Sequence, residues 1–370
     1  MDLTGNGQIT DRLSRRSLLK GTAPVIAGGL AAISLRRQLV AQPGSASRVP
    51  SAPAMPKPGE APEEVKIWSH DYWTNKGDNV KLYMFRKRLS APQSGEKPLP
   101  VLFLVHGSSN SSRASFDLHV PGHGDYSLMD QFAGYGFDVW TMDFEGYGHS
   151  TQTDNNSDVA CGVEDLKVAV EVVARETGQQ SFHFFGESSG ALRAGAFAMV
   201  RPERIRRLVL AAFTYTGKGS PTLAKRAEQL DYYRTHNRRP RDRNMIRSIF
   251  TRDKPGTTDP AVAEALADYE LQFGDTIPTG TYLDMTANLP LVDPLKVQAP
   301  VLIVRGQFDG IATEEDLFTF FTKLPNGDRQ FSIIPDSVHA VSLGYNRALL
   351  WHVVRAFLEM PPRHEEPQKS

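Results

Sequence analysis

The sequence predicts an α/β architecture: a doubly wound, mostly parallel sheet with an inserted, mainly helical cap. Two observations lead there. Short, continuously apolar runs recur along the chain, as strands buried on both faces require. Helix-periodic segments separate them, and strand alternating with helix is the pattern of a parallel sheet with helices on both sides.

The first element is a β-hairpin, with β-rich runs at Val65 to Trp73 and Val80 to Arg88 flanking the turn-prone Thr74-Asn75-Lys76-Gly77-Asp78-Asn79. Buried strands follow at Pro100 to Val105, Phe137 to Met142, Ser181 to Phe185, Arg207 to Phe213, Pro300 to Val304 and, more weakly, Phe331 to Ile334. Between them Val163, Leu166, Val170 and Val173 mark one helix face; Ala191 to Val200 and Leu343 to Leu358 are further helices. The alternation breaks once. Residues 214–295 separate two strands by far more than a crossover needs and are helical in pattern at Thr222 to Tyr233 and Asp259 to Gln272. Such an insertion, above the strand ends where ligands bind in these sheets, acts as a cap.

The chain has 370 residues, with 42 basic and 42 acidic side chains and hence no formal net charge. A basic excess would point to nucleic acid, and none is present; the expected partner is a small molecule. The single cysteine, Cys161, excludes an intramolecular disulfide and reads as an inert thiol. No zinc-type Cys/His cluster and no phosphate-binding loop occurs, so neither metal nor cofactor is expected.

The N-terminus reads as an address. Ser14-Arg15-Arg16-Ser17-Leu18-Leu19-Lys20 precedes an apolar run from Thr22 to Leu35, which is short for a spanning helix. The paired arginines resemble a twin-arginine export signal, with Leu18 where Phe is more usual. The expected organisation is a signal segment over 1–46, a Pro/Ser/Ala-rich linker over 47–64, and the folded domain over 65–370. The destination is the periplasm or the medium, with membrane contact through the signal segment alone or through it as a retained anchor.

The chemistry concentrates in Gly186-Glu187-Ser188-Ser189-Gly190, between Phe182-His183-Phe184-Phe185 and a helix beginning at Ala191. A nucleophilic serine on a strained strand-to-helix turn needs small neighbours two residues away on each side, and only Ser188 has them. A serine hydroxyl requires a base, and that base an orienting carboxylate. His339 and Asp309 each follow a strand-like run and suit these roles; Asp336 and Glu314 are the rival acids. The backbone N–H groups of Ser189 and Ser108, with Ser109 in reserve, are the candidate oxyanion donors. His106 reads as a structural loop residue.

Taken in order, His106-Gly107, Asp143-Phe144-Glu145-Gly146-Tyr147-Gly148-His149-Ser150, the serine turn, Asp309 and His339 resemble the α/β-hydrolase superfamily over Val65 to Leu358. Glu145 stands where that family usually has Arg, in a turn that is structural there. The resemblance implies a serine hydrolase acting through an acyl-enzyme, with esters as the first expectation. Amides (including aminopeptidase-like cleavage), lactones and C–C bonds are alternatives on the same residues, and a non-catalytic binding protein is the alternative of another class. For an amine substrate, Glu187 is the one suggestive anchor. Seven aromatic residues are candidates for the pocket: Tyr215, Tyr232, Tyr233, Phe250, Tyr269, Phe273 and Tyr282. Arg234, Arg238, Arg239, Arg241, Arg243, Arg247 and Arg252, interleaved with acids, read as a solvated, partly paired face. The loop from Asn110 to Tyr126 is expected at the pocket mouth, with His119 and His123 in solvent.

Overall fold

The computed structural model describes residues 66–361; the expected signal segment and linker lie outside them. Eight strands make one sheet: β1 (Trp68–Lys76), β2 (Val80–Arg88), β3 (Val101–Val105), β4 (Asp138–Met142), β5 (Phe182–Glu187), β6 (Ile205–Ala211), β7 (Val301–Gly306) and β8 (Arg329–Ile334). Their spatial order is β1-β2-β4-β3-β5-β6-β7-β8. The hairpin β1–β2 and the β2–β4 pair are antiparallel, and every pair from β4 to β8 is parallel.

β3, β4, β5 and β7 are buried along their whole length. Their side chains alternate between two apolar layers. Phe103, Phe184, Leu208 and Ile303 face helices α2 (Val159–Thr177) and α3 (Ser189–Val200), and Leu102, Leu104, Val209 and Val304 face the other side. That second layer is filled by α1 (Leu128–Gly134) and by the last helix, over Arg347–Leu358. The four residues that mark the α2 face, Val163, Leu166, Val170 and Val173, are all buried. Asp158 caps α2 by accepting from the Cys161 N–H at 2.7 Å, and Gly178 closes it in the left-handed region.

Between β6 and β7 the chain leaves the sheet and builds α4 (Pro221–Ala227), α5 (Leu230–Thr235), α6 (Arg243–Thr251) and α7 (Pro260–Glu270). The helix expected from Thr222 to Tyr233 is therefore two short ones. Two three-residue strands, Arg238–Pro240 and Thr276–Pro278, pair antiparallel inside the insertion. Ile246, Ile249 and Phe250 of α6 and Val262, Leu266 and Ala267 of α7 pack with Leu118, Tyr126, Ala340 and Leu343. This satellite core joins the insertion to the loops after β3 and β8, and so fixes it above the carboxyl ends of the strands. Among the described residues no helix is long and apolar enough to cross a membrane.

The antiparallel edge is tied by a buried ion pair. Arg86 on β2 donates from Nε and Nη2 to Asp138 on β4 at 2.8 and 2.5 Å, and its guanidinium lies 4.8 Å from the Trp140 ring. Both partners are almost fully buried. Asp138→Ala, which strands the guanidinium, should cost about 3–5 kcal/mol. The double variant Arg86→Met/Asp138→Leu should regain most of that in thermal unfolding. Equal loss in the single and double variants would contradict this account of the edge.

Candidate active site

The turn from β5 into α3 holds Ser188 at φ 60°, ψ −128°, a conformation that L residues rarely adopt. The glycines two residues away on either side have no room for a side chain. A Cβ at Gly186 would lie 2.5 Å from the Gly190 carbonyl oxygen, and one at Gly190 would lie 2.1 Å from that of Val105. The serine N–H is anchored to the Ala211 carbonyl of β6 at 2.9 Å. The strain is thus held in place by packing on three strands, and the hydroxyl stands off the end of the sheet.

His339, on the loop after β8, brings Nε2 to 2.8 Å from Ser188 Oγ. Its Nδ1 lies 2.9 Å from Asp309 Oδ1. A carboxylate can only accept, so Nδ1 carries the proton and Nε2 is free to accept from the serine. Asp309 follows β7 and is buried; it also accepts from the Ile311 N–H at 2.9 Å. Burial pushes this carboxyl up, but the neighbouring imidazole and the Ile311 N–H outweigh it and hold it below its ordinary range. An alcohol, an imidazole and an ionised carboxylate linked in this way can move a proton from Oγ to Nε2 and stabilise the imidazolium that results.

The rival acids are elsewhere. Asp336 is exposed in a turn, where its N–H donates to Gln307 Oε1, and Glu314 pairs with Arg305 at 3.0 Å. Ser189 is the first residue of α3, so its N–H has no partner within the helix. Its Oγ accepts from Ser108 Oγ at 2.7 Å, which brings the two candidate oxyanion residues side by side. The reserve, Ser109, exchanges a hydrogen bond with Tyr282 Oη at 2.8 Å. His106 is fully buried, its Nε2 accepting from the Phe144 N–H at 3.2 Å. Burial, with Arg193 nearby, lowers it to about 4, so it stays neutral as a structural acceptor.

The turn from Asp143 to Ser150 is a bracket. Asp143 accepts from Ser112 N and Oγ and from His149 N, at 2.8, 2.6 and 2.9 Å. Glu145 pairs with Lys76 of β1 at 2.5 Å, and Lys76 also pairs with Asp165. Among the described residues, Glu145, Cys161 and Asp165 are the one trio near enough to share a metal ion. The Lys76 ammonium already contacts both carboxylates, and burial pushes the Cys161 thiol up to about 12.

A cavity of about 60 Å³ opens on Ser188 and His339, lined also by Ser108, Asn110, Glu187, Ile249, Ser342 and Leu343. A larger one of about 600 Å³ adjoins it, sharing Arg226 and Arg252 as lining. The aromatic expectation needs correction: of the seven residues, only Tyr233 lines either cavity. Tyr215 packs on Phe320, Phe250 joins the satellite core, and Tyr269 stacks edge-on with Phe273. Tyr215 thus belongs to the core of the main domain, and Phe250 and Tyr269 to the satellite core. Residues 117–127 form a small ribbon along a separate groove, with His119 exposed and His123 bonded to Asp259; of that loop, Asn110 and Ser115 line the cavity of Ser188. Arg226, which lines both cavities, lies before the arginine-rich run and went unnoticed in the sequence.

The strand order and a serine on a left-handed turn between β5 and α3 define an α/β-hydrolase. Residues 97–343 match the serine aminopeptidase S33 family, and the chain belongs to that family. Solved structures with this fold include a hydrolase from Pseudomonas aeruginosa PA01 (18% identity, 78% of this chain and 98% of that one, TM-score 0.57). Another is a thermophilic esterase from Thermogutta terrifontis (18%, 78% and 98%, 0.55). A third is the 2-hydroxy-6-oxo-6-phenylhexa-2,4-dienoate hydrolase of Rhodococcus sp. strain RHA1 (18%, 79% and 100%, 0.55). At such identities the likeness is one of fold. No curated protein sequence matches the chain. Family and fold make it a hydrolase.

Glu187, beside Ser188, accepts from Ser342 Oγ at 2.6 Å. Burial pushes its carboxyl above the ordinary range, against the pull of the Ser342 donors. Below about pH 4, near the unfolded value, both states hold the proton. As pH rises from there through the raised native value, the unfolded chain ionises more readily and stability falls. Glu187→Gln removes this titration. Its urea midpoint, relative to the wild type, should climb between pH 4 and 7; a difference that does not vary with pH would contradict the assignment.

Proposed function

We propose that the chain is a serine hydrolase that cleaves a carboxylic ester through an acyl-enzyme on Ser188. The observation that carries this reading is the continuous chain of contacts, Ser188 Oγ to His339 Nε2 at 2.8 Å and His339 Nδ1 to Asp309 Oδ1 at 2.9 Å, in a cavity beside the strained turn. In the first half-reaction Oγ attacks the ester carbonyl while its proton passes to Nε2. The N–H groups of Ser108 and Ser189 take the negative oxygen, and collapse of the tetrahedral intermediate expels the alkoxide, which receives the proton from Nε2. In the second, water gives a proton to Nε2 and its oxygen attacks the acyl carbon. Collapse releases the carboxylic acid and returns the proton to Oγ.

The family is named for aminopeptidases, and the charges around this site argue against an amine substrate. A substrate ammonium needs an unengaged carboxylate. Glu187 is committed to Ser342 and its burial favours the neutral acid. In the larger cavity Asp253 is the one carboxylate among the lining residues, 3.6 Å from Arg252 and in company with Lys225, Arg226 and Arg239. An ammonium would enter against that field.

With p-nitrophenyl esters, Ser188→Ala should lower turnover by roughly 10⁶ and Asp309→Asn by about 10⁴, each with unchanged circular dichroism. Undiminished turnover in Ser188→Ala would sink the mechanism. A small effect of Asp309→Asn would reassign the orienting acid. Faster cleavage of amino-acid p-nitroanilides than of esters would favour the aminopeptidase reading.

A further inference from the structure

Most arginines of the insertion have structural partners. Arg241 is buried against Glu270, Arg243 pairs with Glu264 and Asp268, Arg247 with Glu264, and Arg234 with Asp231. Arg238 donates to the Thr276 and Gly146 carbonyls.

Arg226 and Arg239 differ. Among the described residues neither guanidinium has a hydrogen bond or an ion pair; both stand over the Tyr282 ring, their central carbons 4.9 and 4.7 Å from its centroid. Both are half-buried, and Tyr282 beneath them is almost wholly so. Lys225 lines the same cavity, and among the described residues it too has no ion pair and Arg252 has Asp253 alone, at 3.6 Å. Four cations thus face one carboxylate around a cavity of about 600 Å³. Arg226 and Arg252 continue into the lining of the cavity that holds Ser188 and His339. Holding like charges together in a partly enclosed space is unfavourable unless an anion joins them. Burial and the neighbouring Arg252 lower Arg226 to about 10, which an entering anion would reverse.

We propose that this cavity binds an anionic group of the substrate, a carboxylate separated from the scissile ester, with Arg226 as its chief recognition residue and Arg239 beside it. A guanidinium presents paired N–H donors that match a carboxylate, and the Tyr282 ring orients both without consuming those donors. The two shared arginines place the recognition group on the path to the nucleophile, so that the anion fixes which ester reaches Ser188. The inference rests on the ester-hydrolase reading above, and names its substrate class.

The test compares p-nitrophenyl monoesters of dicarboxylic acids, from succinate to suberate, with neutral p-nitrophenyl alkanoates of equal length. A second pair, 4-carboxyphenyl and 4-carbamoylphenyl butyrate, carries the charge on the leaving group instead. At least one anionic member should exceed its neutral counterpart in kcat/KM by about 10-fold or more, mainly through KM, since a charge-assisted contact is worth that factor. The preference should shrink as salt is raised. Arg226→Gln should reduce the anionic-to-neutral ratio to near one, and Arg226→Lys should retain part of it. A role in folding alone would lower both series and leave the ratio unchanged, which overturns the proposal. So would equal or better turnover of every neutral ester by the wild type. No turnover of any of these esters by the wild type would instead mean that the underlying ester-hydrolase reading has failed, and this inference with it.

Discussion

The hydrogen bond between His339 Nε2 and Ser188 Oγ joins positions 151 residues apart, and the rest of the architecture serves to make that contact short. Ser188 belongs to the left-handed turn between β5 and α3, and His339 to the loop beyond β8, with two strands between them in the sheet. Parallel pairing brings the carboxyl ends of all these strands to one rim, which is why groups so distant in sequence share a cavity. The strained serine backbone is tolerated because glycines at 186 and 190 let neighbouring main chain close over it.

The sheet was readable in the sequence because its strands are short and buried on both faces, leaving continuous apolar runs that no exposed element produces. The boundaries shifted at the ends; the last helix, expected from Leu343, begins four residues later, at Arg347, and ends at Leu358 as expected. The serine, histidine and aspartate were legible for a local reason: each follows a recognisable strand, so its place at the rim could be inferred without knowing the tertiary contacts. Three-residue strands such as Arg238–Pro240 are too short to show a period, and they passed unseen.

The insertion was legible as an insertion and little further. Its aromatic residues are candidates for pocket walls, although most rings on helices simply pack; in the structure Tyr233 lines the larger cavity, while Phe250 and Tyr269 fill the interior between its helices and the main domain, where their area is better removed from water. Its arginines read as one face, whereas the molecule divides them. Those on α6 meet acids one helix away on α7, and Arg226 and Arg239 stand over a tyrosine ring, with no ion pair to an acid among the described residues. Whether a charge is paired depends on which segment packs beside it, and spacing along the chain does not encode that. The same holds for Glu145, whose carboxylate is met by Lys76 from β1.

Reaction with a fluorophosphonate, followed by mass spectrometry of the digested protein, tests the central claim most directly. The geometry predicts one phosphonyl group per chain, on the peptide containing Ser188, with labelling greatly slowed in His339→Ala. A stoichiometric adduct on any other residue of a protein active on esters, or labelling that ignores the loss of His339, would contradict it.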